Sequence, residues 1–334
     1  MWFTEGMETS RGAGVTGRRI HGAGLELALT ERGDTSRPTV VLVHGFPDTS
    51  AVWTPLAELL AGDFHVVTYD VRGAGASDTP RHRSEYSLPF LVDDLAAVIS
   101  AVSPATPVHL VAHDWGSIQG WEAVTTDRLA GRFASYTSIS GPPLDHAALW
   151  ARSHRSWHLA DLRAALGQAL HSWYIAFFHL PFLPELMARG GRNRQLWARA
   201  LHRIEGAPVD PTWPAATFGD DFAHGVNLYR ANVSRRFRHP TAGHTETPVQ
   251  IIVPLKDRYV TPALLDGLES WSSTVWRRPI ATGHWAIRTH PAELSQWIRD
   301  VIAYVEEGVE APDLARCRLR PGEHTGDAPA TRTA

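Results

Sequence analysis

Val108-His109-Leu110-Val111-Ala112-His113 is a mainly apolar run that ends at Asp114-Trp115-Gly116-Ser117, and a helix-like stretch follows from Ile118 to Val124. A strand, a sharp corner and a helix are therefore expected in direct succession. The corner reads small-x-acid-x-small, with Ala112 and Gly116 two residues either side of Asp114. Small neighbours are needed where a reactive side chain is thrust out at a strained backbone angle between strand and helix. A carboxylate in that place can act on a saturated carbon or a strained ring. It would leave an alkyl ester on the protein for water to cleave. The plainer alternative is an acid that caps the next helix.

The bulk properties narrow the function classes. The 334 residues suffice for one large domain, or for a core with an insertion. A formal net charge of −3 offers no basic surplus for a nucleic-acid backbone. Cys317 is the single cysteine, so no internal disulfide and no cysteine-ligated metal site can form. His-Glu-x-x-His spacing is absent, and no metal or cofactor is expected. The longest apolar stretch, Trp173 to Leu183, is too short and too broken by Pro181 to span a bilayer. Met1 to Gly14 is polar and lacks the apolar core of a signal peptide, so a cytoplasmic location is expected.

Residues 1–19 read as a disordered lead-in, in which Met7 is an alternative start. Alternation from Ile20 to Leu29 predicts a hairpin with Glu31 to Asp34 as a turn. Thr39–Val43 is a near-continuous apolar run typical of a strand covered on both faces, Phe64–Asp70, Phe133–Ile139 and Val249–Val253 read as further strands, and Thr274–Arg278 reads as the last strand. Helical patterns fall at Trp53–Leu60, Leu88–Val102 and Pro291–Glu307. Alternation of strands and helices predicts a parallel, doubly wound α/β sheet, divided into residues 20–143 and 247–310. Between them, residues 144–246 lack strand-like runs and read as an all-helical cap, with Leu162, Leu166, Leu170, Trp173 and Phe177 at helical spacing. Residues 311–334 read as a disordered tail. The Gly-rich loop Asp70–Ser77 has no Walker lysine and is expected to be a structural turn, with Asp70 and Arg72 paired.

Four segments should gather at the carboxyl ends of the strands: His44-Gly45-Phe46-Pro47, Asp114-Trp115, Asp257 and Thr282-Gly283-His284-Trp285. The order nucleophile, acid, histidine, together with these motifs, resembles the α/β-hydrolase epoxide hydrolases over nearly all of residues 20–310. Two tyrosines extend the resemblance. Tyr174 stands seven residues before Pro181, as one lid tyrosine of that family does, and Tyr229-Arg230-Ala231-Asn232 is similar to the motif of the other. Ser140–His146 and Trp276-Arg277-Arg278 are most similar to a mycobacterial branch in which the hydrolase is fused to a short-chain dehydrogenase. The chain is then either a free-standing relative or a fragment.

The resemblance implies an α/β-hydrolase fold with a helical lid and conversion of a lipophilic epoxide to a vicinal diol, with no cofactor. It implies Asp114 as nucleophile, His284 as base and Asp257 as its orienting acid. Tyr174 and Tyr229 would donate to the epoxide oxygen, and the Phe46 and Trp115 N–H groups would form an oxyanion hole. A cis peptide is expected before Pro47. Trp173, Phe177, Trp285 and Pro47 are candidate substrate contacts. Asp145 is a rival acid, and His44 and His113 are read as structural. A small-molecule epoxide is the expected partner, a separately encoded dehydrogenase is a candidate partner, and a homodimer is one of the oligomeric states left open. The competing readings are a haloalkane or haloacid dehalogenase with the same acid-histidine pair, and a non-catalytic partner subunit.

Overall fold

A computed structural model describes residues 14–154, 158–190 and 193–319 of the chain. Its first elements are β1 (Val15–His21), β2 (Glu26–Arg32), β3 (Thr39–Val43), α1 (Thr54–Leu60) and β4 (His65–Tyr69). There follow α2 (Leu88–Val102), β5 (Val108–His113), α3 (Trp115–Val124) and β6 (Phe133–Ile139). Six helices come next without an intervening strand: α4 (Leu144–Ser153), α5 (Leu159–His171), α6 (Trp173–Phe178), α7 (Leu183–Ala188), α8 (Asn193–Ala200) and α9 (Phe218–Arg238). The chain then returns through β7 (Val249–Pro254), β8 (Val275–Ile280), α10 (Ala286–Thr289), α11 (Pro291–Glu307), α12 (Pro312–Arg316) and β9 (Arg318–Leu319). The strands form one sheet in the order β1-β2-β4-β3-β5-β6-β7-β8-β9. It is parallel from β4 to β8 and antiparallel at both edges.

The continuous apolar runs follow from cover on both faces. Val41, Val43, Leu110 and Ala112 pack with Leu91, Leu95 and Trp121 of α2 and α3. Their neighbours Val40, Leu42 and Val111 pack on the other face with Leu56, Leu60, Leu294 and Ile298 of α1 and α11. Each such side chain, taken fully from water, contributes about 1.5–3 kcal/mol. Alternate residues thus fill opposite cores, and no position in the run can be polar without a partner.

The two ends differ from expectation. Val15–Arg19 is not a lead-in but the first part of β1, paired with β2 along its whole length. Only Ile20 of that strand is buried, so backbone bonding carries it and the hydrophobic pattern is silent. The hairpin turns at Gly22–Leu25, and Glu31 and Arg32 belong to β2. Beyond Ala311, α12 buries Leu314 against Trp276 and Val301, and β9 adds to the sheet edge. Residues 1–13, with Met7, and residues 320–334 lie outside the described part.

The Gly-rich loop is a structural turn, but its ion pair is not the expected one. Asp70 accepts the N–H groups of Ser50 and Ala76, each at 2.8 Å. Arg72 instead grips Asp94 of α2 through two bonds of 2.6 and 2.7 Å, both side chains being 1% exposed. Burial with two-point geometry is what makes such a pair matter, since either charge left alone would be stranded in the core. Asp94→Ala is expected to destabilise the fold by about 3–5 kcal/mol, read from the urea midpoint. A loss within ~0.5 kcal/mol would show that water reaches Arg72.

Candidate active site

Asp114 joins β5 to α3 at φ 54°, ψ −122°, outside the regions that non-glycine residues prefer. The surrounding small residues make this bend feasible. A Cβ on Gly116 would lie 2.3 Å from the Val43 carbonyl oxygen, and one on Gly141 would lie 2.3 Å from that of Asp114. The strain therefore sits at the turn between β5 and α3.

The carboxylate has two partners. Its Oδ1 accepts the Phe46 N–H at 2.7 Å, and its Oδ2 lies 3.6 Å from His284 Nε2. The Phe46–Pro47 peptide is cis. Trp115 occupies the first turn of α3, where N–H groups lack intrahelical acceptors. On its other side the His284 ring holds Asp257 Oδ2 at 2.8 Å through Nδ1. Asp257 Oδ1 accepts the N–H groups of Tyr259 and Val260 at 2.8 and 3.0 Å, which fixes the acid after β7. Burial by itself would push the His284 imidazole down; the Asp257 and Asp114 carboxylates outweigh it and hold it at about 10. Burial likewise opposes ionisation of Asp257, and the His284 ring with the two N–H groups overcomes this and keeps its pKa low. The site thus rests as an imidazolium between two carboxylates.

The neighbouring histidines stay neutral. Burial, then the charge on His284, pushes His113 down to about 4, and its Nε2 is 3.0 Å from the His284 carbonyl, so that nitrogen carries the proton. His44 donates from Nδ1 to the Gly45 carbonyl and accepts the Val71 N–H on Nε2. Both hold loops in place. Asp145, the rival acid, is instead paired with Arg236 at 2.7 Å.

Above Asp114 is a cavity of ≈ 620 Å³ with predominantly apolar walls. Tyr174 of α6 and Tyr229 of α9 line it together with Asp114 and Trp115. The two phenol rings are 5.9 Å apart, and Tyr229 also sits edge-on to Trp115 at 4.9 Å and to Phe46 at 5.4 Å. Burial, followed for each phenol by neighbouring negative charge that includes Asp114, raises both above the ordinary phenol range. Both therefore keep their hydroxyl protons at neutral pH. The residues after Tyr229 set its position. Arg230 bonds the Phe178 and Leu180 carbonyls and pairs with Glu185, while Asn232 bonds the Tyr86 carbonyl and the Leu88 N–H. One side chain ties α9 to α6 and α7, and the other ties it to the core.

The profile of the alpha/beta hydrolase fold matches residues 38–291. The chain belongs to the α/β-hydrolase fold family. Among curated proteins it is similar to the probable oxidoreductase EphD of Mycobacterium tuberculosis, 35% identical over 311 residues, covering 91% of this chain and 52% of the relative. The chain thus spans about half the length of that protein. It is also similar to epoxide hydrolase A of Mycobacterium tuberculosis, 33% identical over 329 residues, covering 87% of this chain and 98% of the relative. The fold is shared with a Bacillus megaterium epoxide hydrolase crystallised with an inhibitor, at TM-score 0.72 and 22% identity over 85% of this chain and 99% of that one. The protein is an epoxide hydrolase-like α/β-hydrolase.

Three of the four expected pocket contacts lie elsewhere in this hydrolase. Phe177 lines a separate groove with Pro184, Met187 and Phe222, because the far end of α6 faces α7 and α9. Pro47 turns away with Asp48 into a small void lined also by Val71, Leu91 and Trp115. Trp285 is 2% exposed, and its indole N–H donates to Asp48 Oδ2 at 2.8 Å. Only Trp173 lines the Asp114 cavity, at its solvent edge.

Sequence reasoning missed Asp48, Tyr259 and Glu205. Asp48 also accepts the Trp213 indole N–H at 2.7 Å, fastening the loop before α9 to the core. Burial pushes its carboxyl up to about 6, opposed by the two indoles. Tyr259 lines the cavity and stands edge-on to His284 at 4.8 Å. Glu205 approaches the same loop so closely that a Cβ on Gly283 would meet its carboxylate at 1.9 Å. Position two after Asp257 was a usable signal for Tyr259; nothing local marked the other two. Among the described residues no group of three or more His, Cys, Asp or Glu side chains converges as a metal site, and no helix is long and apolar enough to cross a membrane.

A raised histidine pKa contributes stability that is complete below its unfolded value of about 6.5 and is lost as pH climbs through the folded value. The Asp257–His284–Asp114 chain therefore predicts a thermal midpoint that declines between pH 6.5 and about 10. In His284→Gln that decline should flatten; an unchanged slope would locate the alkaline transition in another group.

Proposed function

We propose that this hydrolase opens a lipophilic epoxide with water to a vicinal diol through a covalent ester on Asp114. The observation that carries the reading is the placement of both phenols and Asp114 in one cavity, with the His284 ring 3.6 Å from the acid. The epoxide oxygen would sit between the Tyr174 and Tyr229 hydroxyls, and a ring carbon would face the carboxylate. Attack by an Asp114 oxygen breaks the ring C–O bond as one phenol passes its proton to the departing oxygen. An alkoxide released without a donor would be far more basic than a phenolate.

Esterification removes the charge on Asp114. His284 then loses one of the two carboxylates that raise its pKa, gives its Nε2 proton to solvent, to be regained after turnover, and becomes a competent base. A water beside its Nε2 would give up a proton and attack the ester carbonyl carbon. The Phe46 N–H, already on Asp114 Oδ1, and the Trp115 N–H would hold the resulting oxyanion, a contact worth about 3–4 kcal/mol per donor. Collapse expels the diol oxygen, which takes the proton from His284. The proton released when the carboxylate reforms restores the phenol. The halide-displacing alternative needs indole or amide side-chain donors in place of phenols at the leaving atom, and Phe46 supplies no side-chain donor there.

Intact mass tests the two steps. Wild type should convert members of a diverse epoxide panel to diols, and Asp114→Asn should lose at least about 10⁴-fold in rate. His284→Gln should gain the mass of one substrate and release no diol; with a confirmed substrate, absence of the adduct would overturn the ester mechanism. Tyr174→Phe and Tyr229→Phe should each lower kcat by about 10²-fold or more without unfolding the protein. Full activity in the double phenylalanine variant would exclude the phenols as proton donors.

A further inference from the structure

The cap carries a surface whose composition the reaction does not explain. Of the large apolar side chains that are exposed, most fall between residues 159 and 204. Leu159, Leu166 and Leu170 form a stripe along α5, exposed at 69%, 56% and 75%. Phe182, Leu186 and Met187, at and beyond the start of α7, are exposed as well, at 83%, 73% and 58%. A second face of α5 lines the Asp114 cavity through Ala165, Gln168 and Ala169. Scattered apolar residues are ordinary on a surface; this density on consecutive short helices is not.

The charges in the same segment decide what fits it. Residues 158–206 hold six arginines against three acids, in a chain whose net charge is −3. Arg163, Arg199 and Arg203 are exposed and make no ion pair among the described residues, whereas Glu185 is taken by Arg230. A second copy docked through a two-fold axis would set this patch against itself and bring arginines together in a closing interface. A lipid surface has no such conflict. Leucine and phenylalanine enter the acyl boundary, the arginines reach up to anionic headgroups, and the exposed Trp173 suits the interface between them.

We propose that the outer face of α5 and α7 docks on an anionic lipid surface and sets the cavity mouth at Trp173 against it. An apolar substrate dissolved in the bilayer would then pass to the cavity without crossing water. The docking stands on the surface alone and does not depend on which reaction follows.

The test is flotation of the full chain with phosphatidylcholine vesicles, with and without roughly a third phosphatidylglycerol. Wild type should float at least about 10-fold better with the anionic vesicles. The variant Leu166→Glu/Leu170→Glu/Leu186→Glu should lose flotation, with its melting curve as the fold control. Arg163→Gln/Arg199→Gln/Arg203→Gln should retain folding and lose the preference for anionic lipid. If the triple glutamate variant does not fold, Leu170→Glu alone should still weaken flotation, because that side chain is three-quarters exposed. Three outcomes would overturn the proposal: no flotation of wild type, flotation unchanged by the glutamates, or a stable dimer in sedimentation velocity that the glutamates dissolve.

Discussion

Asp114 stands at the end of a buried strand, and its neighbours replace the water that burial removes from its carboxyl group. A carboxylate removed from water is stable only if donors or a cation replace its hydration. Here the Phe46 N–H takes one oxygen and the His284 imidazolium faces the other. In the proposed reaction the same two groups serve later steps, as oxyanion donor and as base. On that proposal, stabilising the resting charge and preparing for its removal are one arrangement, and His284 changes role when Asp114 is esterified.

The cap is held over this carboxylate by polar ties as well as by shared core packing, in which Phe178, Val226, Leu228 and Tyr229 join one core and Leu201 and Trp213 the other. Asp48 accepts indole N–H groups from Trp213 and Trp285; Asp221 of α9 accepts the Gly75 N–H at 2.8 Å; Asn232 bridges to Tyr86 and Leu88. Each partner is distant in sequence, so each tie exists only in the folded chain. Burial pushes Asp48 and Asp221 up to about 6 each, because the seam leaves them few donors relative to their burial. Phe46 adds an apolar contact, meeting Phe178, Phe222 and Tyr229 across the seam. Phe46, the proposed oxyanion donor, and Tyr229 are in this way packed against each other.

Much of the fold was legible because each strand of the sheet centre is enclosed by two cores. Leu88–Val102, Phe133–Ile139 and Pro291–Glu307 emerge with the boundaries their patterns indicate. Val15–Arg19 and Leu314 were not legible, since an edge ladder and a single buried leucine leave no periodic trace. The site divides in the same way. Asp114, Asp257 and His284 follow strands, where local pattern predicts position, and the structure brings them within hydrogen-bonding or ion-pairing range. The partners of Arg72 and Trp285 depend on which distant acid the packing delivers, and neighbouring residues carry no information about that.

The α5 stripe shows where periodicity misleads. Leu162, Leu166 and Leu170 recur as a core face would, yet each is exposed, at 45%, 56% and 75%. A helical apolar period records only that one side avoids water; it does not say what provides the cover. In α2 the sheet provides it, and seven of the helix's residues are buried. In α5 the single buried residue is Gln168, which is held by Tyr259 and Thr261 at the cavity wall. The helix therefore buries its polar anchor and presents its leucines outward, an inversion that follows from roofing a cavity with one face while another remains without protein cover.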